Sequence, residues 1–373
     1  MWFRNYRFRG YNIPLILFVL ALTIIGVFVI GSADEEYQSK QIIGMAGGLV
    51  AMGFVSMVDY HWWIKLQWFF YAVLVILLVL VLFIGTNVGG ATRWIEIEPL
   101  GNLRFQPSEA AKVLLVMFFA GYFMKHEEDI NSLPVIGLTA LLSAIPLALI
   151  EKEPDLSTTI VTFMMILTML FFAGLTYKII LPALGIGIPL TVLSVYLIAH
   201  RRFIFLDSYQ SLRILAWLYP DEYPESSYQQ QNSIMAIGSG QLLGKGLNND
   251  SFDSVKNGNY ISEPQTDFIF AVAGEELGFI GSVAIVILLF AITFACLYTA
   301  RRAKDMSGKI ICVGIAALIG FQGFVNICVV TGLMPNTGLP LPFVSYGLTS
   351  LLTLYAGIGL VLNVSLQTKR WGY

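Results

Sequence analysis

NIPLILFVLALTIIGVFVIG, residues 12–31, carries no charge in twenty consecutive residues. A helix rises about 1.5 Å per residue, so a run of this length crosses the roughly 30 Å hydrocarbon core of a bilayer. The run lacks the small-residue cleavage site of a signal peptide, and so reads as a first transmembrane helix. Outward from it, comparable runs recur near 40–58, 66–86, 107–124, 132–151, 156–174, 177–199, 267–300, 308–333 and 342–366. The expected fold is an all-α polytopic membrane protein of about ten transmembrane helices, one transmembrane domain over residues 1–373. A large extracytoplasmic loop, 200–266, is expected between spans seven and eight. Composition agrees: of 373 residues, 57% are hydrophobic and only 12% charged, against about 25% charged in soluble domains.

An even number of spans puts both termini on one side, and basic residues decide which. The tails and even-numbered loops hold Arg4, Arg7, Arg9, Lys65, Lys125, Lys178, Arg301, Arg302, Lys304, Lys309, Lys369 and Arg370. The short odd-numbered loops and their edges hold only Lys40, Arg93, Arg104, Lys112 and Lys152. Both termini are therefore expected in the cytoplasm, with 87–106 and 200–266 outside. Within the long loop, the apolar periodicity of Ser211–Leu218 and Ser233–Leu243 predicts interfacial or re-entrant helices. The eighth span is unusually long and carries Glu275 and Glu276 in mid-run, which predicts a kink or half-helix near Gly274 and Gly278.

Ionisable groups in spans cost several kcal/mol unless they meet water or a partner, which makes each a candidate site residue. Three groups lie on the outer face expected here. LRFQPSEAAK supplies Arg104, Glu109 and Lys112, with Pro107 set to open a helix and Glu109 and Lys112 three apart on one face. EKEPDLSTT crowds Glu151, Lys152, Glu153 and Asp155 into one turn, and Asp267 opens the eighth span after EPQT. Any single pair could equally be a helix cap or a buried ion pair that holds helices together. Three on one face suggest a cavity that binds an anionic substrate and moves a proton.

Other signals fall away. The net charge of −2 offers no basic excess, so no nucleic-acid partner is expected. Cys296, Cys312 and Cys328 sit in apolar runs as small core residues, and His61, His126 and His200 are scattered, which argues against a histidine metal site. GSGQLLGKG (238–246) looks like a phosphate loop, but Ser239 stands where the first glycine is needed and Gly246 where Ser or Thr is needed. Neither GxSxG nor HExxH occurs.

In order and spacing, GATRWIEI (90–97), FQPSEAAK (105–112), EPDLSTT (153–159), AIGSGQLLGKGL (236–247), EPQTDFIFAVAGEELGFIG (263–281) and TGLMPNTGLPLPFVSYG (331–347) resemble the SEDS family of shape, elongation, division and sporulation proteins. RNYRFRGYN and YHWW are more similar to its elongation branch, RodA, than to its division branch. The resemblance implies a peptidoglycan glycosyltransferase of the bacterial cytoplasmic membrane. Its substrate would be lipid II, the undecaprenyl-pyrophosphate-linked disaccharide peptide, and its partner a class B penicillin-binding protein transpeptidase. It also implies that Asp267 is the essential aspartate, and that Arg104, Glu109, Lys112 and Asp155, with Trp94 nearby, line the substrate cavity. Glu153 stands where the family often has Gln, and Ser157 where it often has Gly.

Chain growth needs an acceptor 4-hydroxyl to attack the anomeric carbon of a lipid-pyrophosphate donor. Asp267 is expected to take the proton as general base, and Arg104 and Lys112 to stabilise the leaving pyrophosphate. A divalent cation, Mg²⁺ or Mn²⁺, could share that last task, though the sequence holds no dedicated cage. Direct attack inverts the anomeric centre and gives a β-linked glycan. The rival reading is a flippase that moves lipid II across the bilayer.

Overall fold

A computed structural model describes residues 6, 10–88, 91–97, 103–200, 208–248, 254 and 260–367. The chain opens with α1 (Ile13–Ala33) and α2 (Glu35–Met57), each begun by a side-chain cap: Asn12 accepts from the amide of Leu15, Asp34 from that of Glu36. The short α3 (Tyr60–Lys65) leads into α4 (Gln67–Ile84). Then come α5 (Pro107–Lys125), α6 (Leu133–Lys152), α7 (Leu156–Phe172) and α8 (Tyr177–Ala199). After α9 (Ser208–Leu218) and α10 (Pro224–Ser239) the chain closes with α11 (Ile269–Arg302), α12 (Met306–Val330) and α13 (Leu348–Leu366). Nine of these helices are long and apolar enough to cross a membrane, and α7, at 17 residues, is a shorter apolar tenth. Their outward residues, such as Phe83, Leu133 and Ile186, are large and apolar, as lipid-facing positions require.

The spans are not equivalent. In α5, 83% of the span is buried inside the protein, and α12 and α13 are nearly as enclosed; in α8 the share is 0%. The core is therefore α5, α12 and α13, ringed by α1, α2, α7 and α11. Because successive spans reverse direction, one end of the bundle gathers residues 85–88, 91–97, 103–106, 152–156, 208–248, 260–268 and 331–347. The other gathers residues 10–12 and 367, next to the two chain ends, with 58–66, 125–132 and 303–305. These are called the loop end and the termini end below.

At the loop end the predominantly helical fold carries one small addition that the sequence reading did not include. Residues 86–105 contain a three-stranded antiparallel sheet, β1 (Thr86–Val88), β2 (Ala91–Ile97) and β3 (Leu103–Phe105), in the order β1-β2-β3, with Glu96 opposite Arg104. ATRWIEI is rich in β-branched and aromatic residues and suits a pleated ribbon, a short signal outweighed by the long apolar runs around it. A second difference concerns α10. It starts at Pro224, nine residues before the predicted Ser233, because the polar stretch ESSYQQQN has no apolar periodicity to announce a helix.

The break in the eighth span is present. Gly278 has φ +66° and ψ −162°, which divides α11 into a half-helix and a full span. Such a break frees backbone groups at membrane depth, and these must find partners within the protein. The glycine-rich segment 240–246 supplies them. The amides of Lys245 and Gly246 donate to the carbonyls of Glu275 and Glu276 (both 3.0 Å), and Phe279 and Ile280 donate to Gln241 and Leu242 (2.8 and 3.2 Å). A Cβ on Gly240 would meet the Gly274 carbonyl at 2.0 Å, and one on Gly244 the Glu276 carbonyl at 2.1 Å. The false phosphate loop is thus a packing device for a broken helix. The two buried glutamates at the break are held as well, Glu275 by Lys245 (2.7 Å) and Glu276 by Ser32 (2.5 Å).

Candidate active site

Asp267 stands in the turn before α11. Its Oδ1 accepts from the Thr266 hydroxyl (3.0 Å), and its main-chain carbonyl accepts from Asn326 Nδ2 (2.7 Å). Gly338, at φ +74°, lies over the carboxylate: a Cβ there would be 3.7 Å from Asp267 Oδ2. The Tyr346 amide donates to the Gln265 carbonyl (2.9 Å), so the 331–347 segment is stapled to the Asp267 turn. The half-buried site raises the Asp267 carboxyl above the usual aspartate range; the Thr266 hydrogen bond and the nearby Arg213 charge oppose that shift.

One face of α12 ties this turn to the Glu109–Lys112 pair. Asn326 also donates to the Leu339 carbonyl (2.6 Å). One turn earlier, Gln322 donates to the Pro340 carbonyl (3.0 Å) and accepts from Lys112 Nζ (2.8 Å). Lys112 Nζ also donates to Glu109 Oε1 at 2.6 Å, in a pair whose side chains are 1% and 3% exposed. The chain Glu109–Lys112–Gln322–Pro340 thus runs beside Asn326–Asp267.

The EPDL turn joins the same junction. Asp155 caps α7 by accepting from the Thr158 amide (3.1 Å), and Ser157 donates to the Thr337 carbonyl (2.9 Å). From β2, Arg93 clamps the turn: Nε donates to the Glu153 carbonyl (3.0 Å), Nη2 to that of Pro154, and Nη1 lies 3.9 Å from Asp155 Oδ2. Glu153 itself is fully buried beside Asp155, and this burial, aided by the Asp155 charge against that of Arg93, pushes its carboxyl up to about 9.

Among the described residues, seven buried polar atoms on these elements have no hydrogen-bond partner: both Glu153 carboxyl oxygens, the hydroxyls of Thr158, Thr162 and Thr337, and the amide oxygens of Asn326 and Asn336. Each such atom costs about 1–3 kcal/mol if nothing satisfies it. Native proteins rarely tolerate a group of them except where water or a ligand reaches in. Beside the junction opens a cavity of about 430 Å³ whose wall includes Arg213 and Asn336.

Of the residues expected to line a cavity, Glu109, Lys112, Asp155 and Asp267 are joined through one hydrogen-bonded framework. Arg104 and Trp94 stand on the sheet instead. Arg104 pairs across strands with Glu96 (3.0 Å) and is 53% exposed, while its carbonyl accepts from Thr349 (3.1 Å). Trp94 is half-buried opposite Thr86. The sequence reading missed Arg93 and Arg213 as site residues, and also Gln322 and Asn326. The last two carried a legible signal, since two amides four apart in an apolar span mark a polar helix face.

Among the described residues, no group of three or more His, Cys, Asp or Glu side chains is placed to hold a metal ion. The donors present therefore do not form a site for Mg²⁺ or Mn²⁺ by themselves. One carboxylate could at most share a cation with substrate phosphates.

The family model described as a cell cycle protein, FtsW/RodA/SpoVE, matches residues 11–370. The chain belongs to this SEDS family of polytopic membrane proteins. It is 33% identical to the probable peptidoglycan glycosyltransferase FtsW of Trichlorobacter lovleyi, over 98% of this chain and 96% of that one. It is 34% identical to the peptidoglycan glycosyltransferase MrdB of Escherichia coli K12, over 95% and 93%. Its fold matches a chain from a peptidoglycan synthase complex that coordinates polymerization and crosslinking (TM-score 0.78, 29% identity, 95% of this chain and 97% of that one). It also matches the rod shape determining protein RodA of Thermus thermophilus (TM-score 0.68, 29% identity, 95% and 96%).

Proposed function

We propose that this chain is a peptidoglycan glycosyltransferase that polymerises lipid II at the outer face of the cytoplasmic membrane, in the service of elongation and cell shape. In this reading the termini end is cytoplasmic, the 200–266 loop is extracytoplasmic, and Asp267 is the general base. The observation that carries it is that Asp267 is hydrogen-bonded into a framework whose elements hold seven unpartnered buried polar atoms. A carboxylate in such a place can accept a hydroxyl proton, and its upward-shifted pKa makes it a better base than a solvated aspartate.

The acceptor 4-hydroxyl gives its proton to Asp267 as its oxygen bonds to the donor's anomeric carbon. The bond from that carbon to the lipid pyrophosphate breaks, with inversion. Arg104, the exposed cation of the sheet, is suited to meet the pyrophosphate as charge develops. Lys112 and Glu109 neutralise each other below the turn and set the height of Gln322 and Asn326 beneath Asp267. Asp155 fixes the EPDL turn, and Trp94 offers an apolar flank. A class B penicillin-binding protein would crosslink the product.

The test uses the full-length chain with its transpeptidase and lipid II. Asp267→Asn should lower the polymerisation rate by at least about a hundredfold with an unchanged melting temperature. Near-normal polymer from that variant would remove Asp267 as the base. Movement of lipid II across vesicles without any polymer from the unsubstituted chain would replace the enzyme with a flippase.

A further inference from the structure

The cavity beside Asp267 has a chemistry of its own. It is bounded by α9 through Arg213, by the first half of α10 through Glu225, Tyr228 and Gln229, by Tyr260, and by Asn336. Positions 225, 228 and 229 fall on one face of α10, so a single helix face supplies most of the polar wall. Gln229 is steadied by a hydrogen bond to Ser262, and Arg213 by donation to the Asn336 carbonyl (3.2 Å). One cation and one anion leave the described lining without net charge. What remains is Leu212 and two phenol rings, one of them on the half-exposed Tyr228, together with amides and hydroxyls.

We infer that this cavity is a saccharide subsite, one that seats an N-acetylated sugar ring of the growing or incoming chain next to the reacting centre. A pyranose has apolar C–H faces and a rim of hydroxyls. Phenol rings meet the first, and amides and hydroxyls the second. A phosphate fits poorly, because Glu225 shares the wall with Arg213. The volume of about 430 Å³ lies within the range that encloses small organic ligands. Position follows from the chain: Asn336 lines the cavity, and Gly338, two residues on, lies against the Asp267 carboxylate. Two residues span at most about 7 Å, so one short stretch of chain carries both the cavity wall and the residue that lies against Asp267.

This inference rests on Asp267 marking the reacting centre, and the experiment separates the two. The full-length chain with its transpeptidase, in lipid nanodiscs, is titrated with a water-soluble, lipid-free N-acetylglucosaminyl–N-acetylmuramyl peptide by saturation-transfer NMR, and is assayed with lipid II. Tyr228→Ala and Gln229→Ala should each weaken disaccharide binding and raise the KM for lipid II about tenfold, with kcat within about twofold. Asp267→Asn should bind the disaccharide as the unsubstituted chain does, whatever its effect on polymer formation. Unchanged disaccharide binding in both wall variants, each with a normal melting temperature, would overturn the subsite. So would capture of inorganic pyrophosphate by this wall in place of the disaccharide.

Discussion

Two polar clusters, one at each end of the bundle, gather carboxylates, cations and amides, yet they are built on opposite principles. At the termini end His61 bridges two helix caps, with Nδ1 2.7 Å from Asp59 and Nε2 2.8 Å from Asp305. Asp305 also accepts from Tyr60 (2.8 Å), Ser307 (2.8 Å) and the Gly308 amide (2.8 Å), while Gln367 from the end of α13 donates to Asp59 (3.1 Å). None of these side chains holds a buried polar atom without a partner. At the loop end, the elements tied to the Asp267 junction hold seven such atoms. A closed polar cluster spends its hydrogen-bonding capacity on joining helices; an open one keeps capacity for something that arrives. Hydrogen-bond saturation, more than charge, therefore tells a brace from a site.

The strongest challenge to this contrast comes from the one closed element inside the open end. Lys112→Met leaves Glu109 as a buried charge without a counter-ion, and should cost about 3–5 kcal/mol of stability, read as a lower unfolding midpoint in detergent. The double variant Lys112→Met with Glu109→Leu should recover most of that loss. If the double variant also recovers polymerase activity, the pair is only a brace. If stability returns without activity, the pair belongs to the chemistry. A full-stability Lys112→Met would show that the pair is not the buried ion pair seen here.

Glu153 gives the next largest effect and a sign that can be checked. Its carboxyl, pushed to about 9, holds its proton in the folded chain at a pH where the unfolded chain has lost it. The folded state thus binds more protons between about pH 4.5 and 9, and stability falls as pH rises through that window, by up to ~1.4 kcal/mol per pH unit. Glu153→Gln keeps the shape, removes the titration, and should flatten the melting temperature across that range. A slope that survives the substitution would assign the titration to another group.

Much of this plan was legible in the sequence, for physical reasons. Apolar runs of about twenty residues announce spans, because the bilayer imposes a length. The broken eighth span was readable from two glutamates flanked by glycines. Asp155, Asp267 and the Glu109–Lys112 pair stood out because charge at span ends is costly. What stayed hidden depends on tertiary placement. Whether Arg104 points to a cavity or pairs with Glu96 is decided by the register of a small sheet that the apolar runs overshadow. That Gln322 and Asn326 join Lys112 to Asp267 follows only once α12 is seen to lie between α5 and the 331–347 segment.

The smallest expected effect tests the closed end. Hydrogen bonds to Asp305 and Asp59, working against burial, raise His61 to about 9. The stabilisation from its charge is therefore complete below about pH 6.5, the unfolded value, and is lost as pH rises through about 9. The carboxylates behave in the opposite sense. Burial would raise Asp59, but the bonds from His61 outweigh it and hold the group at about 2; Asp305 is lowered likewise. Their contribution is present above about pH 4 and fades as pH falls towards 2. Because His61 is partly exposed and screened by solvent, each pair is worth at most about 1 kcal/mol. His61→Gln should lower the melting temperature slightly between pH 5 and 6.5, with the deficit closing by about pH 10. Polymerisation should stay within about twofold of normal, since a saturated cluster at the far end of the bundle has no free valence through which to touch substrate. A loss of activity out of proportion to this small deficit would mean that the closed end also sets the geometry of the open one.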